Sequence, residues 1–178
     1  MKTNSKVYYL VEGAMIAALY IVLTYAQEFL LPGTTSMAVQ FRLSEILCLL
    51  CVFTPSAVWG LTVGTLISNI VNVGALPIDM ICGTFATFIA AFTAYKLRNV
   101  RVLKLPVLSS LMPVLANGII IGLELEIFLI EGPFHFSSFL LQGGLVALGE
   151  FGVCVVLGLP FVKLLEHTKL FTKIHKNI

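Results

Sequence analysis

Long apolar stretches, separated by single charged residues, follow one another along nearly the whole chain. Five of them contain no Asp, Glu, Lys or Arg, and they cover residues 13–27, 46–78, 80–95, 105–123 and 132–149. A membrane-spanning helix needs about 20 mostly apolar residues, and the stretch 46–78 is long enough for one helix, a turn and most of a second. The pattern therefore predicts an all-α integral membrane protein.

Prolines and glycines divide this pattern into a bundle of six predicted transmembrane helices. Proline disfavours helix at the residue before it and suits the first turn of a new helix, so breaks are expected near Pro55, Pro77, Pro106 and Pro133. The spans are predicted over about residues 7–27, 37–53, 56–73, 78–95, 106–130 and 137–165. They leave no soluble domain of any size, so residues 1–178 are expected to form a single transmembrane domain.

Composition supports the same class. Hydrophobic residues make up 58% of the 178 residues and charged residues only 11%, whereas soluble domains carry about 25% charged residues. We therefore expect a multi-pass protein of a cell membrane, which is surrounded by the lipid bilayer and binds no nucleic acid.

The positive charges predict the orientation. With six spans, every one of the 11 Lys and Arg residues except Arg42 falls on the same side of the membrane, before the first helix, between the fourth and fifth, or at the end of the chain. Loops rich in Lys and Arg remain in the cytoplasm. Both termini are therefore predicted to be cytoplasmic.

Motifs of common enzymes are missing from the sequence. The dipeptide Gly-Lys never occurs, which excludes a P-loop ATPase, and neither H-E-x-x-H nor G-x-S-x-G is present. Cys48, Cys51, Cys82 and Cys154 lie within apolar runs, where cysteine behaves as a small buried hydrophobe. We expect no catalytic residues, no metal site and no cofactor.

Polar side chains nevertheless lie inside the predicted spans, where they are costly and usually face protein or a water-filled cavity. At a rise of about 1.5 Å per residue, most of them fall in the outer half of the bundle, where they describe a polar cup open to the outside. The ionisable ones are Glu12, Arg42, Glu45, Asp79, Glu124, Glu126 and Glu150, and the amides are Gln27, Gln40, Asn69, Asn72, Asn117 and Gln142.

Such a cup suits a small ligand with several N–H donors, for example a nucleobase-like or cationic compound. Arg42 and Glu45 are three residues apart and are expected to share a helix face and to pair. Phe41 and other aromatic residues near the mouth either stack on a flat ring or belong to an interfacial belt. A single amide such as Asn117 serves equally well to join helices, and Asp79 serves equally well to begin one.

Small residues four positions apart form two stripes on the first predicted helix, Gly13 with Ala17 and Ala14 with Ala18. Stripes of this kind allow two helices to approach each other closely. They serve either packing within the bundle or contact with a partner protein.

Two segments carry a resemblance to a known family. VQFRLSEILCLLCVFTPSAVWGLTVGTLISNI, followed by PIDMICGTFATFIAAFTAYKLR, resembles the QueT-type, queuosine-precursor family of substrate-binding (S) subunits of energy-coupling factor (ECF) transporters. The likeness runs from about Gln40 to Arg98 and includes the motifs R-x-S-E, S-N and I-D-x-x-x-G. The first helix with its alanine pair, a late glutamate followed by Gly-Leu-Pro and a basic tail agree with it.

The resemblance implies a six-helix substrate-binding domain in a bacterial cytoplasmic membrane. Subunits of this family bind a vitamin-like ligand from outside and dock on a transmembrane coupling protein and two cytoplasmic ATPases. The docking face of the first helix would include Ala14 and Ala18. The ligand would be a deazaguanine, either the aminomethyl form or queuine.

The resemblance also suggests roles for the polar cup. Glu45 would accept the ring N–H and the exocyclic amine, and Asp79 or Glu150 would face the side-chain ammonium. Arg42 would order Glu45. The other expected ligand-binding residues are Asn69 and Gln142, which would read the remaining edges, together with Phe41, Asn72 and Glu124.

Two other functions compete with this one. A self-contained secondary carrier for a nucleobase-like or vitamin-like solute would use Glu150 as a proton site, although the two halves of the sequence show no repeat. A membrane assembly subunit would bind no ligand at all.

Overall fold

The computed structural model of the protein describes residues 5–34, 40–71, 77–168 and 171. These residues are helical apart from short connections and one isolated bridge between Val102 and Leu105. The elements in chain order are α1 (Ser5–Leu30), a 3-10 helix (Leu43–Val52), α2 (Ser56–Val71), α3 (Pro77–Lys96), α4 (Val107–Glu124), a π-helical turn (Leu125–Leu129), α5 (Phe136–Glu150), a π-helical segment (Phe151–Leu157) and α6 (Gly158–Thr168).

The predicted number of six helices is confirmed, because α5, the π segment and α6 form one continuous helix from Phe136 to Thr168. Four helices are long and apolar enough to cross a membrane, namely Lys6–Leu30, Pro77–Lys96, Val107–Leu129 and Phe136–Thr168. Their large apolar side chains point outwards on every side, including Met15, Ile81 and Leu148. An apolar outer surface is what lipid requires, so the helices and their surface together describe a multi-pass membrane protein.

The second predicted span differs from the structure. The sequence predicts an ordinary spanning helix over 37–53, whereas the structure has a 3-10 helix of 10 residues, Leu43–Val52. At about 2.0 Å per residue it is roughly 20 Å long, which is short of the ~30 Å hydrocarbon core. Eight of its 10 residues are buried. An apolar run that is buried on all sides has no periodicity to distinguish the two helix types, which explains the difference.

This 3-10 helix lies in the middle of the bundle. Consecutive α-helices pack side by side, α1 on α2, α2 on α3, α3 on α4 and α4 on α5, while the 3-10 helix contacts α1, α2, α3, α4, α6 and the second π segment. The largest apolar core surrounds its inner part, where Leu47, Cys48 and Cys51 meet Tyr20 and Leu61. Except for the exposed Leu43 at its start, this short helix therefore faces other parts of the protein.

Glycine allows α1 and α2 to approach each other closely. A side chain added at Gly60 would place its Cβ 2.5 Å from the carbonyl oxygen of Gly13, and one at Gly64 would come within 3.2 Å of the Cα of Ala17. The stripe of Gly13 and Ala17 therefore packs within the bundle. The neighbouring stripe of Ala14 and Ala18 is exposed on the outer surface of α1.

Contacts between residues far apart in the sequence define one end of the bundle. Arg101 Nη1, in the connection between α3 and α4, donates to Glu166 Oε1 of α6 at 2.7 Å. The ring of Phe53, which follows the 3-10 helix, stacks on Phe171 with 5.0 Å between centroids. The basic connection and the end of α6 thus lie at the same end of the bundle.

Candidate functional site

Glu45 lies at the centre of the polar residues, on the 3-10 helix, and none of its surface is exposed. Its Oε1 accepts hydrogen bonds from Tyr20 Oη at 2.6 Å and from Thr87 Oγ1 at 3.4 Å, and its Oε2 accepts from Cys48 Sγ at 3.1 Å. Three elements, α1, α3 and the 3-10 helix itself, therefore hold this carboxylate in place. Sequence analysis identified Glu45 but neither Tyr20 nor Thr87.

A second buried carboxylate, Glu150, interacts electrostatically with Glu45. Glu150 is the last residue of α5, and Cys154 Sγ lies 3.5 Å from its Oε2 and 3.5 Å from the backbone oxygen of Glu45. The amide of Asn117 on α4 is close enough to interact with the Glu150 carboxyl group, but within the described chain neither its nitrogen nor its oxygen makes a hydrogen bond of good distance and angle. The carboxyl groups of Glu45 and Glu150 and the amide of Asn117 therefore lie in the same part of the core.

Arg42 brings a positive charge to this region, because its guanidinium interacts electrostatically with Glu150 and with Glu124, a further buried carboxyl group at the end of α4. The ion pair expected between Arg42 and Glu45 is absent from the salt bridges of the described residues. Arg42 precedes the 3-10 helix in extended backbone conformation, and its Nη2 donates instead to Gln40 Oε1 at 3.5 Å. A residue in extended conformation does not share a helix face with the residue three positions later, which is why the expectation was wrong.

The other carboxylate pair, Asp79 and Glu124, lies between α3 and α4. The two side chains are close enough to hydrogen-bond to each other, and Glu124 is buried with its Oε1 unpartnered within the described chain. Asn69 of α2 donates from Nδ2 to the backbone oxygen of Asp79 at 3.1 Å. A Cβ at Gly83 would lie 2.9 Å from that Nδ2 and 4.0 Å from Arg42 Nη1, so Asn69 and Arg42 approach the same point on α3.

Two of the four carboxylates occupy the same kind of position. Glu124 and Glu150 are each the last residue of an α-helix that continues as π-helix, over Leu125–Leu129 and Phe151–Leu157. A π-helical turn displaces side chains from the regular α-helical positions and is frequently found at functional sites. No sequence signal of hydrophobic periodicity marks these turns.

Gln27 supports the site without belonging to it. Its Nε2 donates to the backbone oxygen of Phe41 and to Thr34 Oγ1, and its Oε1 accepts from the backbone N–H of Leu43 at 2.7 Å. One buried amide of α1 thereby fixes the backbone on both sides of Arg42.

The remaining expected site residues are less closely connected. Gln142 is partly buried on α5, about two turns before Glu150. The ring of Phe41 is half exposed and lies against Gly152 of the second π segment, with its Cε1 3.2 Å from the position of an added Cβ. Asn72 lies outside the described residues. The structure therefore brings Arg42, Glu45, Asn69, Asp79, Glu124 and Glu150 together and leaves Gln142 and Phe41 at the edge.

This arrangement provides hydrogen-bond acceptors far in excess of donors. Carboxylates accept only, and each has about four lone-pair positions, so the cluster is complementary to a ligand with several N–H groups or a positive charge. Within the described part of the chain no three His, Cys, Asp or Glu side chains are grouped as metal ligands. Binding of a small N–H-rich molecule is the chemistry that these residues favour.

Comparison with known proteins agrees with the resemblance noted in the sequence. The model of the family described as QueT transporter matches residues 10–167. A curated relative from Lactococcus lactis subsp. cremoris (strain MG1363), named queuosine precursor transporter QueT, is 33% identical over 89 residues, which are 48% of this chain and 48% of that protein. The match thus spans about half the length of the relative, and no solved structure matches the chain. Because the family match extends from α1 to α6, this membrane protein belongs to the QueT transporter family.

Proposed function

We propose that the protein is the S subunit of an ECF-type importer, and that it captures a deazaguanine precursor of queuosine from outside the cell. The observation that supports this proposal most strongly is the polar cluster, in which Glu45, Glu124 and Glu150 are buried, Asp79 lies beside Glu124, and Arg42 interacts electrostatically with Glu124 and Glu150. The curated relative is named a queuosine precursor transporter, and a deazaguanine has the groups that this cluster would recognise.

The chemistry matches edge by edge. A carboxylate can accept N–H groups from the edge of a guanine-like base that carries the ring N–H and the exocyclic amine, and such charge-assisted bonds are stronger than bonds between neutral groups. In the proposal Glu45 accepts one of these N–H groups, since its bonds to Tyr20, Thr87 and Cys48 fix its orientation before the ligand arrives and leave about one lone-pair position free. A second carboxylate, Glu150 or Asp79, faces the ammonium of the aminomethyl form or the secondary amine of queuine.

The energy source in this proposal is a separate module, because the chain has no P-loop. Ala14 and Ala18 are exposed on α1 while their neighbours Gly13 and Ala17 are buried against α2. We propose that this exposed stripe docks on a transmembrane coupling protein associated with two cytoplasmic ATPases. The positive-inside rule gives the orientation that docking needs, with both termini in the cytoplasm of a bacterial cell and the polar cluster reached from outside.

Thermal stabilisation of the purified protein tests the ligand. A ligand at 100 times its Kd stabilises the folded state by about 2.7 kcal/mol, which for a chain of this size is a rise in Tm of roughly 5–11 °C. The aminomethyl-deazaguanine and queuine should produce that rise, and adenine at the same concentration should not. The proposed ligand class is wrong if none of the deazaguanines changes the Tm.

Uptake into vesicles tests the mechanism. Vesicles that contain this protein alone should accumulate no deazaguanine when a proton gradient is imposed, and vesicles that also contain the coupling protein and ATPases should accumulate it when supplied with ATP. Uptake by the protein alone, driven by the gradient and abolished by Glu150→Gln, would instead establish the secondary carrier.

A further inference from the structure

Asn117 on α4 is a buried amide that lies within reach of the Glu150 carboxyl group but makes no hydrogen bond of good geometry within the described chain. Its side chain is 1% exposed, yet within the described chain neither Nδ2 nor Oδ1 makes a hydrogen bond. By contrast, Gln27 makes three hydrogen bonds and Asn69 makes one. Nearly all buried polar groups in proteins are hydrogen-bonded, so a buried amide with both groups unused requires an explanation.

The position of Asn117 connects it to the proposed ligand site. Its amide lies beside the carboxylate of Glu150. Glu124 is seven residues later on α4, and residues separated by two helical turns lie on the same face. Glu124 is also buried and also has an oxygen, Oε1, without a partner in the described chain. One face of α4 thus directs the amide of Asn117 and the unpartnered Oε1 of Glu124 towards the carboxylate cluster.

The backbone at Asn117 has little freedom to move away. At the next residue, Gly118, an added Cβ would lie 3.0 Å from Cβ of Ala147 and 3.2 Å from the backbone oxygen of Gly143. Close packing of α4 on α5 therefore fixes the direction of the Asn117 side chain before any ligand binds. A fixed amide loses little conformational entropy on binding, which favours both affinity and selectivity.

A carboxamide presents one donor beside one acceptor, so its best partner is an edge with an acceptor beside a donor. A deazaguanine has such an edge at N3 and N9–H, on the side away from the edge formed by N1–H and the exocyclic amine. If a carboxylate occupies the N1–H edge, the N3 and N9–H edge remains for an amide. N9–H exists only in the free base, because ribose replaces that hydrogen in a nucleoside.

We propose that Asn117 forms two hydrogen bonds with the N3 and N9–H edge of the bound deazaguanine, and so selects the free base over forms substituted at N9. This inference rests on the proposed function, since it assumes a deazaguanine in the cluster. The proposal adds Asn117 to the ligand site, whereas the amide would otherwise only join helices. It also explains why neither polar atom of the Asn117 side chain makes a hydrogen bond of good geometry within the described chain.

The test compares two probes, 7-aminomethyl-7-deazaguanine and its 9-methyl derivative, by calorimetric titration of the full-length purified protein. Two hydrogen bonds between neutral groups correspond to roughly a 5- to 150-fold difference in affinity. The unsubstituted protein should prefer the free base by that factor. Asn117→Ala, which leaves space for the methyl group, should lower the affinity for the free base and bring the ratio of the two affinities close to one.

Two further variants separate binding from folding. Ser56→Ala removes a buried hydroxyl that also has no partner in the described chain but lies at the start of α2. This variant should keep the ratio of the two affinities that the unsubstituted protein shows. Asn117→Asp retains the acceptor for N9–H and loses the donor to N3, so it should also weaken binding of the free base. It provides the measurement if Asn117→Ala does not fold.

The outcomes distinguish the two proposals. An unaltered preference for the free base in Asn117→Ala, or an unaltered affinity for the free base in Asn117→Asp, would show that Asn117 only joins helices, while the deazaguanine ligand would stand. Equal binding of the two probes by the unsubstituted protein would likewise overturn the role of Asn117. If the unsubstituted protein binds neither probe, the proposed ligand class itself is wrong, and the role of Asn117 falls with it.

Discussion

Substitution of Glu45 by glutamine separates a ligand-binding carboxylate from one that only stabilises the fold. Glutamine keeps the size and shape of the side chain but replaces one acceptor oxygen by an NH₂ donor. In the structure Glu45 already accepts from Tyr20, Thr87 and Cys48. Of about four lone-pair positions on a carboxylate, these bonds leave roughly one free, which is enough for one strong N–H bond from the ligand.

The magnitude follows from that single bond. A hydrogen bond to a charged group contributes about 1.5–3 kcal/mol, so Glu45→Gln should lower ligand affinity roughly 10- to 150-fold. Tyr20→Phe is the matched control, because it removes the 2.6 Å bond from the protein side and leaves the carboxylate intact. Tyr20→Phe should lower the Tm and change the affinity much less than Glu45→Gln does.

The assay measures the Tm and the calorimetric affinity of each variant on the same purified sample. We expect a large loss of affinity for Glu45→Gln and a loss of stability for both variants. If Glu45→Gln lowers only the Tm and binds as tightly per folded molecule as the original, Glu45 is a structural residue. The ligand's N–H edge would then belong to Glu150 or Asp79.

Two further predictions concern the surface and the orientation. Ala14→Leu and Ala18→Leu should leave ligand binding intact and abolish ATP-driven uptake, because they enlarge side chains on the exposed stripe of α1. Ala17→Leu is the control and should destabilise the protein, because Ala17 is buried against α2. Normal uptake by both Ala14→Leu and Ala18→Leu would exclude this stripe from docking. A membrane-impermeant maleimide added to intact cells should label the variant Phe134→Cys, since Phe134 lies exposed between α4 and α5. It should not label Leu103→Cys, although Leu103 is 92% exposed in the basic connection between α3 and α4. The reverse labelling pattern would show that the predicted orientation is inverted.

The sequence predicted the long helices well because their apolar length and the prolines and glycines between them are local features. Residues 78–95 were predicted for α3, which extends over Pro77–Lys96. The 3-10 helix was not predicted, since an apolar run that is buried on all sides looks the same in either helix type. Its geometry depends on tertiary contacts, such as those of Gln27 with the backbone around Arg42, which no local pattern reveals.

The candidate site was predictable only in part. Charges inside spans are rare enough to stand out, so Glu45 and Glu150 were found from the sequence alone. Tyr20 and Thr87 were missed, because hydroxyl groups are common in membrane helices and only the fold brings these two to Glu45. Asn117 was noted but not assigned to the site, since an amide that joins helices has the same sequence pattern as an amide that binds a ligand.

Native mass spectrometry of the intact protein tests directly whether the folded chain binds a deazaguanine. The purified protein is incubated with 7-aminomethyl-7-deazaguanine, freed of unbound ligand and transferred from detergent to the gas phase. The account predicts one deazaguanine per folded chain, and loss of that added mass in Glu45→Gln at the same ligand concentration. Folded protein that carries no added mass under these conditions, with queuine as well as with the aminomethyl form, would contradict it.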